Sequence, residues 1–273
     1  MTAEALEGTE AVAGVAKPDP ILVVDGLKRH FGGLAAVDVQ HLELQRGAIT
    51  ALIGPNGAGK TTLFNLLTGF DSPDEGRWSL DGRDVSGLKA YQLARLGMVR
   101  TLQLTRVLSK MTLLDNMALA GTDQRGENLL SAPFRGVWRK REDAVEARAR
   151  ELLGLVGLGD KVDDRAASLS GGQRKLLELA RTLMVEPELV MLDEPMAGVN
   201  PALTESLLEH ITGIRDAGRT VVFVEHDMDV VQRISDWVVV MASGQILAEG
   251  PPAVVARNPE VIDAYLGVRS EAP

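Results

Sequence analysis

The chain contains no cysteine, so it has no disulfide framework, no thiolate metal site and no cysteine nucleophile, a usage that fits a reducing compartment. No run of ~18 consecutive apolar residues occurs, so nothing in it spans a bilayer by itself and any membrane role needs a partner. Positive charge is also short. The 29 Lys and Arg against 38 Asp and Glu leave a formal net charge of −9, which argues against a nucleic-acid or anionic-lipid surface, because those partners reward basic patches through counterion release. Residues 1–18 carry Glu4, Glu7 and Glu10 where a signal peptide would have a positive start and an apolar centre, and are expected to be a flexible tail. Aromatic residues are scarce, and there is neither an internal repeat nor a coiled-coil heptad.

What remains is an ordinary globular composition, 45% apolar and 25% charged over 273 residues, enough for one core with smaller additions. From Ile21 to Leu44 short strands are expected, with turns at Asp25-Gly26 and Gly32-Gly33, reading as an antiparallel sheet. "GAITALIG" (47–54) is a continuous apolar strand, and "KTTLFNLLTGF" places Leu63, Leu66 and Leu67 on one helical face before Gly69. Short helices are predicted over 91–96 and 111–120, and a charged helix from about Lys140 to Val156 with Val145, Ala149, Leu152 and Val156 on one stripe. "ELVMLDEP" (188–195) and "TVVFVEHD" (220–227) read as buried parallel strands. Side chains at the carboxyl ends of such strands face the ligand crevice, so Asp193, Glu194 and His226 should converge on one site.

Between the first apolar strand and its helix lies Gly54-Pro55-Asn56-Gly57-Ala58-Gly59-Lys60-Thr61, the GxxxxGK(S/T) phosphate loop in its required context. Its glycines let the backbone wrap phosphates so that amide N–H groups and the helix N-terminus meet the anion. Lys60 then supplies charge to the outer phosphates, Thr61 offers a hydroxyl to Mg²⁺, and Thr62 closes the nucleotide-binding run. Asp193 and Glu194, ending an apolar strand, suit an aspartate reaching the Mg²⁺ shell and a glutamate polarising an attacking water.

Leu169-Ser170-Gly171-Gly172-Gln173 precedes a helix whose apolar face is Leu176, Leu179, Ala180 and Leu183. Ser170 could merely cap that helix. Two consecutive glycines at its start, however, cost helix stability and expose N–H groups to an incoming phosphate. A second phosphate-seeking helix implies a second ligand site.

With "LSGGQ" beside the phosphate loop, the chain resembles the ATP-binding subunits of ABC transporters over residues 21 to about 250. That resemblance implies a P-loop (RecA-like) α/β core with an antiparallel β subdomain and an α-helical subdomain. Residues 19–273 would then form a single ATPase domain, with a helical insertion over about 104–168 and a C-terminal extension over about 251–268. It also implies a head-to-tail dimer in which Ser170, Gly171, Gly172 and Gln173 of one subunit close over the γ-phosphate held by Lys60 of the other. By the same resemblance Gln103 links the Mg²⁺ site to a membrane subunit, His226 contacts the γ-phosphate and Glu194, and Phe31 and Ala36 meet the adenine. "MAGVNP" resembles the loop that pairs across the dimer, with Asn200 where many relatives have aspartate.

Within that family, "RTLQLTRVLSKMTLLDNMALA", "EHDMDVV" and "GPPAVVARNPEVIDAYLG" resemble the branched-chain amino acid uptake ATPases. Leu102 replaces the aromatic usual before the loop glutamine, and relatives serving urea or lipopolysaccharide share much of the pattern. The resemblance implies ATP and Mg²⁺ as cofactors, and hydrophobic permease subunits and a second ATPase, paralogue or self, as partners. It further implies an indirect link to a substrate-binding protein, no nucleic acid, and a peripheral place on the cytoplasmic face of the membrane. Two other classes stand beside it. A soluble ABC ATPase of ribosomes or DNA would usually carry paired cassettes or a coiled coil, whereas a scaffold that binds ATP without turnover has no need of the lysine, aspartate, glutamate and histidine all present. No NKxD guanine motif occurs. Residues 121–138 suggest no role.

Overall fold

A computed structural model describes residues 4–101, 107–121 and 135–270. Its strands are β1 (Pro20–Phe31), β2 (Leu34–Gln45), β3 (Ile49–Ile53), β4 (Glu75–Leu80), β5 (Arg83–Asp84), β6 (Met98–Arg100), β7 (Leu189–Asp193), β8 (Thr220–Val224), β9 (Trp237–Ala242) and β10 (Gln245–Gly250). The helices are α1 (Lys60–Leu67), α2 (Ala90–Arg95), α3 (Leu113–Ala118), α4 (Arg135–Leu155), α5 (Gly171–Leu183), α6 (Pro201–Asp216), α7 (Met228–Ile234), α8 (Pro252–Val255) and α9 (Pro259–Ser270). The chain divides into two compact units. The first comprises residues up to Arg100, Glu188–Pro195 and Ile211 onward; the second is Thr101–Pro187 with Met196–His210. The second unit takes in α3, α4, α5 and the start of α6.

The first unit contains two sheets. Every residue of β3, β7 and β8 is buried, as strands covered on both faces require. They lie in a six-stranded sheet of order β10-β9-β3-β8-β7-β6, in which β10 alone runs antiparallel to its neighbour. The second sheet, β2-β1-β4-β5, is antiparallel throughout. Here one expectation needs correction: Asp25-Gly26 does not separate two short strands. β1 runs through it, and Gly26, at φ 59°, accommodates a register shift against β4 between Asp25 and Lys28. A glycine in the left-handed region inside a strand produces a bulge as readily as a turn.

Part of the segment expected to be a flexible tail packs within the first unit. Leu6 belongs to its apolar core. The Lys17 ammonium donates to Glu249 Oε2 at 2.7 Å, with the two side chains 1% and 0% exposed, and lies 4.7 Å from the centre of the Trp237 ring. Trp237 Nε1 donates to the same oxygen at 2.8 Å, and Glu249 Oε1 accepts the Gly14 and Val15 amides. A buried ammonium needs such partners, so the acidic composition of the segment misled: its one lysine, not its glutamates, decides where it lies.

In the second unit α4 begins five residues ahead of the predicted Lys140. Ala149, Leu152, Leu153 and Val156 are buried there, as are Leu176, Leu179, Ala180 and Leu183 of α5. Most of the stretch 121–138 lies outside the described residues.

Candidate functional site

The strand registers bring the expected residues of the first unit to one edge. Leu52 of β3 and Asp193 of β7 both stand opposite Val224 of β8. The phosphate loop starts two residues beyond Leu52, Glu194 follows Asp193, and His226 lies two beyond Val224, so four chemically active positions share the carboxyl ends of three adjacent strands. Glu194 is fixed there by its own N–H, which donates to the Val224 carbonyl at 3.1 Å, and by a φ of 47°. A non-glycine residue in the left-handed region is held against about 1–3 kcal/mol of strain, a cost that clusters at functional positions.

Two loop glycines are required by space as well as by dihedral angle. At Gly54, with φ 148°, a Cβ would lie 2.1 Å from the Met241 carbonyl, and at Gly59, with φ 99°, 2.3 Å from that of Ala36. The second contact sets Ala36 against the loop. α1 starts at Lys60 with Gly59 as a cap residue that offers no side-chain hydrogen bond, so an anion can take the place that a capping oxygen fills in other helices. Lys60 Nζ donates to the Gly54 and Pro55 carbonyls at 2.6 and 2.9 Å. Burial pushes its pKa below the ordinary 10.5, and the Glu194 carboxylate opposes that shift. Pro55 and Ala58 continue the loop, Asn56, Gly57 and Thr61 are exposed, and Thr62 is half-buried.

Phe31, at the end of β1, is 51% exposed. The Arg29 guanidinium lies 4.9 Å from its ring centre, leaving an aromatic surface outside the core. His226 is exposed beside Glu225, which is 1% exposed; His226 Nδ1 stands 3.8 Å from the Glu225 carboxylate, and Asp227 caps α7. Gln103 lies outside the described residues.

The signature residues belong to the second unit. Ser170 does cap its helix: its hydroxyl accepts the Gln173 N–H at 3.2 Å, while Gln173 Oε1 accepts the Ser170 N–H at 3.1 Å. The two glycines differ. A Cβ on Gly172 would come within 2.8 Å of the end of the Leu203 side chain, which would have to shift, whereas one on Gly171 would meet nothing within 4 Å. Nothing inside the described chain explains the bareness of Gly171. Asn200 caps α6 by accepting the Leu203 N–H at 3.0 Å.

Two features of the site escaped the sequence reading. Arg100 Nη2 donates to Asp193 Oδ2 at 2.7 Å with both side chains buried, and Glu225 is a second buried carboxylate near the strand ends. A lone arginine after "GMV" carries no signal by itself, but its position at the end of a short apolar run was visible.

Comparison with known proteins places the chain in a family. The ABC transporter family model matches residues 37–197, and one described as branched-chain amino acid ATP-binding cassette transporter matches residues 245–271. The chain is 42% identical to the high-affinity branched-chain amino acid transport ATP-binding protein LivG of Escherichia coli K12 over 250 residues, covering 91% of this chain and 98% of that protein. The same figures hold for BraF, of the same description, from Pseudomonas aeruginosa. Among solved structures, the ADP conformation of MJ1267, an ATP-binding cassette of an ABC transporter, superposes with a TM-score of 0.79 at 36% identity, over 91% of this chain and 99% of that one. With a phosphate loop, strand-end acids and a signature helix on an α/β cassette fold, the chain belongs to the ABC transporter ATP-binding subunits, nucleotide-binding ATPases whose turnover drives transport.

Proposed function

We propose that this subunit powers uptake of branched-chain amino acids, as one half of a head-to-tail ATPase dimer docked on membrane permease subunits. Lys60, the loop amides and the N-terminus of α1 hold the ATP phosphates, Phe31 stacks on adenine beside Ala36, and Glu194 polarises the attacking water. His226 meets the γ-phosphate, and Ser170 to Gln173 of the second subunit close the site. The single observation that carries the catalytic part is the shared register of Leu52, Val224 and Asp193, which sets loop, glutamate and histidine at one strand edge. Gly171, exposed and with open space around an added Cβ among the described residues, supports the closure from outside.

The donor set suits magnesium. Thr61 and Asp193 present hard oxygens, and Mg²⁺ is ordinarily bound through one or two carboxylates together with substrate phosphates. When bound it neutralises charge on the phosphates. Gln103 is proposed to complete this shell and to pass the state of the site to the permease. No described helix is long and apolar enough to cross a membrane, so the cytoplasmic membrane face is proposed through those partners, with a substrate-binding protein acting at a distance.

The cargo rests on the relatives and is tested in cells. Deleting the gene should abolish saturable uptake of radiolabelled leucine, and the gene carrying Glu194→Gln should not restore it. Uptake unchanged by deletion would reject branched-chain cargo, leaving urea, lipopolysaccharide or another substrate, while ATP turnover stands.

A further inference from the structure

We propose that Arg100 is a positioning residue for the cation side of the nucleotide site, fixing the orientation of the Asp193 carboxylate relative to the helix that carries Thr61. The inference rests on the reading of Asp193 given above.

Arg100 ends β6, where it stands opposite Met191 of β7. Met191 and Asp193 share a face of that strand because side chains alternate, so the guanidinium needs to reach only one step along its neighbour. It does so with Nη2, 2.7 Å from Asp193 Oδ2, in a pair whose side chains are 6% and 3% exposed. The other amino group turns to α1: Nη1 donates to Asn65 Oδ1 at 2.6 Å and Thr68 Oγ1 at 3.2 Å. The rings of Phe64 and Phe70 lie 5.5 and 5.6 Å from its central carbon. One planar cation thus braces the strand bearing Asp193 against the helix that begins at Lys60 and Thr61.

Stability alone does not account for this brace. A buried ion pair commonly gains little over an apolar pair of the same shape, and Arg100 Nε is itself buried without a partner among the described residues, a state that ordinarily destabilises the fold. Geometry does account for it. A planar guanidinium anchored on α1 through its other amino group fixes the direction from which Asp193 Oδ2 is held, which a lysine on a flexible stem would not do. Carboxylates that meet metals are oriented by such outer partners, and losing one costs metal affinity.

The test is binding of a fluorescent ATP analogue to the purified protein, first in EDTA and then across a Mg²⁺ titration. Arg100→Gln should raise the Mg²⁺ concentration at half-effect by about 10- to 100-fold while leaving affinity in EDTA within about twofold of the parent, and Arg100→Lys should fall between the two. The inference is overturned if a folded Arg100 variant titrates with Mg²⁺ as the parent does. It is equally overturned if affinity in EDTA falls as far as affinity in Mg²⁺, because that is the mark of a merely structural role. Should Arg100→Gln fail to fold, Arg100→Lys decides by the same two criteria. Asp193→Asn separates the two layers. If it leaves the Mg²⁺ titration unchanged, the assignment of Asp193 fails; if it shifts the titration and the Arg100 variants do not, only the present inference fails.

Discussion

Lys60 Nζ donates to the carbonyl of Gly54 at 2.6 Å, so the loop's only cation is held by the loop's own backbone. An ammonium so placed is already pointed across the turn the phosphates would fill, and it exchanges neutral carbonyls for anionic oxygens when ATP enters. Both sets of bonds are charge-assisted through the ammonium, but only the phosphate oxygens add the attraction of opposite charges. Lys60→Ala should therefore weaken nucleotide binding by about 1.5–3 kcal/mol, roughly 10- to 150-fold in Kd, in a fluorescent-nucleotide titration. An unchanged Kd would remove the lysine from the site.

The same lysine predicts a pH dependence. Burial lowers its pKa from 10.5 in the nucleotide-free protein, whereas bound phosphates favour the charged form and raise it again. Binding must then take up protons in the alkaline range below 10.5, so ATP affinity should fall as pH rises through the lowered pKa. Measuring Kd in alkaline buffers checks the sign: affinity that is flat up to the range of free lysine, or rises, contradicts it.

Glu194 separates binding from chemistry. Its backbone is fixed by the Val224 carbonyl and a φ of 47°, constraints that Glu194→Gln leaves intact. Loss of a positioned base costs about 10²–10⁴-fold in rate. The variant should keep nucleotide affinity and lose turnover by that factor in a phosphate-release assay; undiminished hydrolysis would mean that another group activates the water.

The N-terminal segment should matter for stability although it touches no nucleotide residue named above. Lys17→Met leaves Glu249 buried with only hydrogen bonds to Trp237, Gly14 and Val15, and removing one partner of a buried ion pair costs about 3–5 kcal/mol. Chemical denaturation should register that loss, with Lys17→Met/Glu249→Gln recovering part of it. Deleting residues 1–18 should be at least as damaging, and a truncated protein of parental stability would restore the flexible tail that composition suggested.

These cases show what a sequence can and cannot carry. The strands ending at Ile53, Asp193 and Val224 were legible because a fully buried parallel strand must be continuously apolar, and the loop because its glycines have a spacing no other turn needs. Gly26 was misread because one dihedral requirement serves both turn and bulge. Lys17 and Arg100 were illegible for a common reason. Each is a single charged residue whose partner lies far along the chain, Glu249 for one and Asp193 for the other, and no local pattern reports a pairing made only by topology.

The dimer can be tested by complementation, because each proposed site takes Lys60 from one subunit and Ser170 to Gln173 from the other. Protein carrying Lys60→Ala should be inactive alone, and so should protein carrying Gly171→Arg, whose Cβ would leave from an exposed position with no described atom within 4 Å. Mixed in equal amounts, half of the dimers are hybrids. In each hybrid one site inherits both lesions and the other neither, so about one quarter of parental ATPase activity should return if the sites turn over independently. A site built within one chain gives no such rescue, since every site in the mixture would then keep its own lesion. Restored turnover would place the signature helix opposite a second subunit's phosphate loop, and it would explain why Gly171 is bare where its own chain has no use for the space.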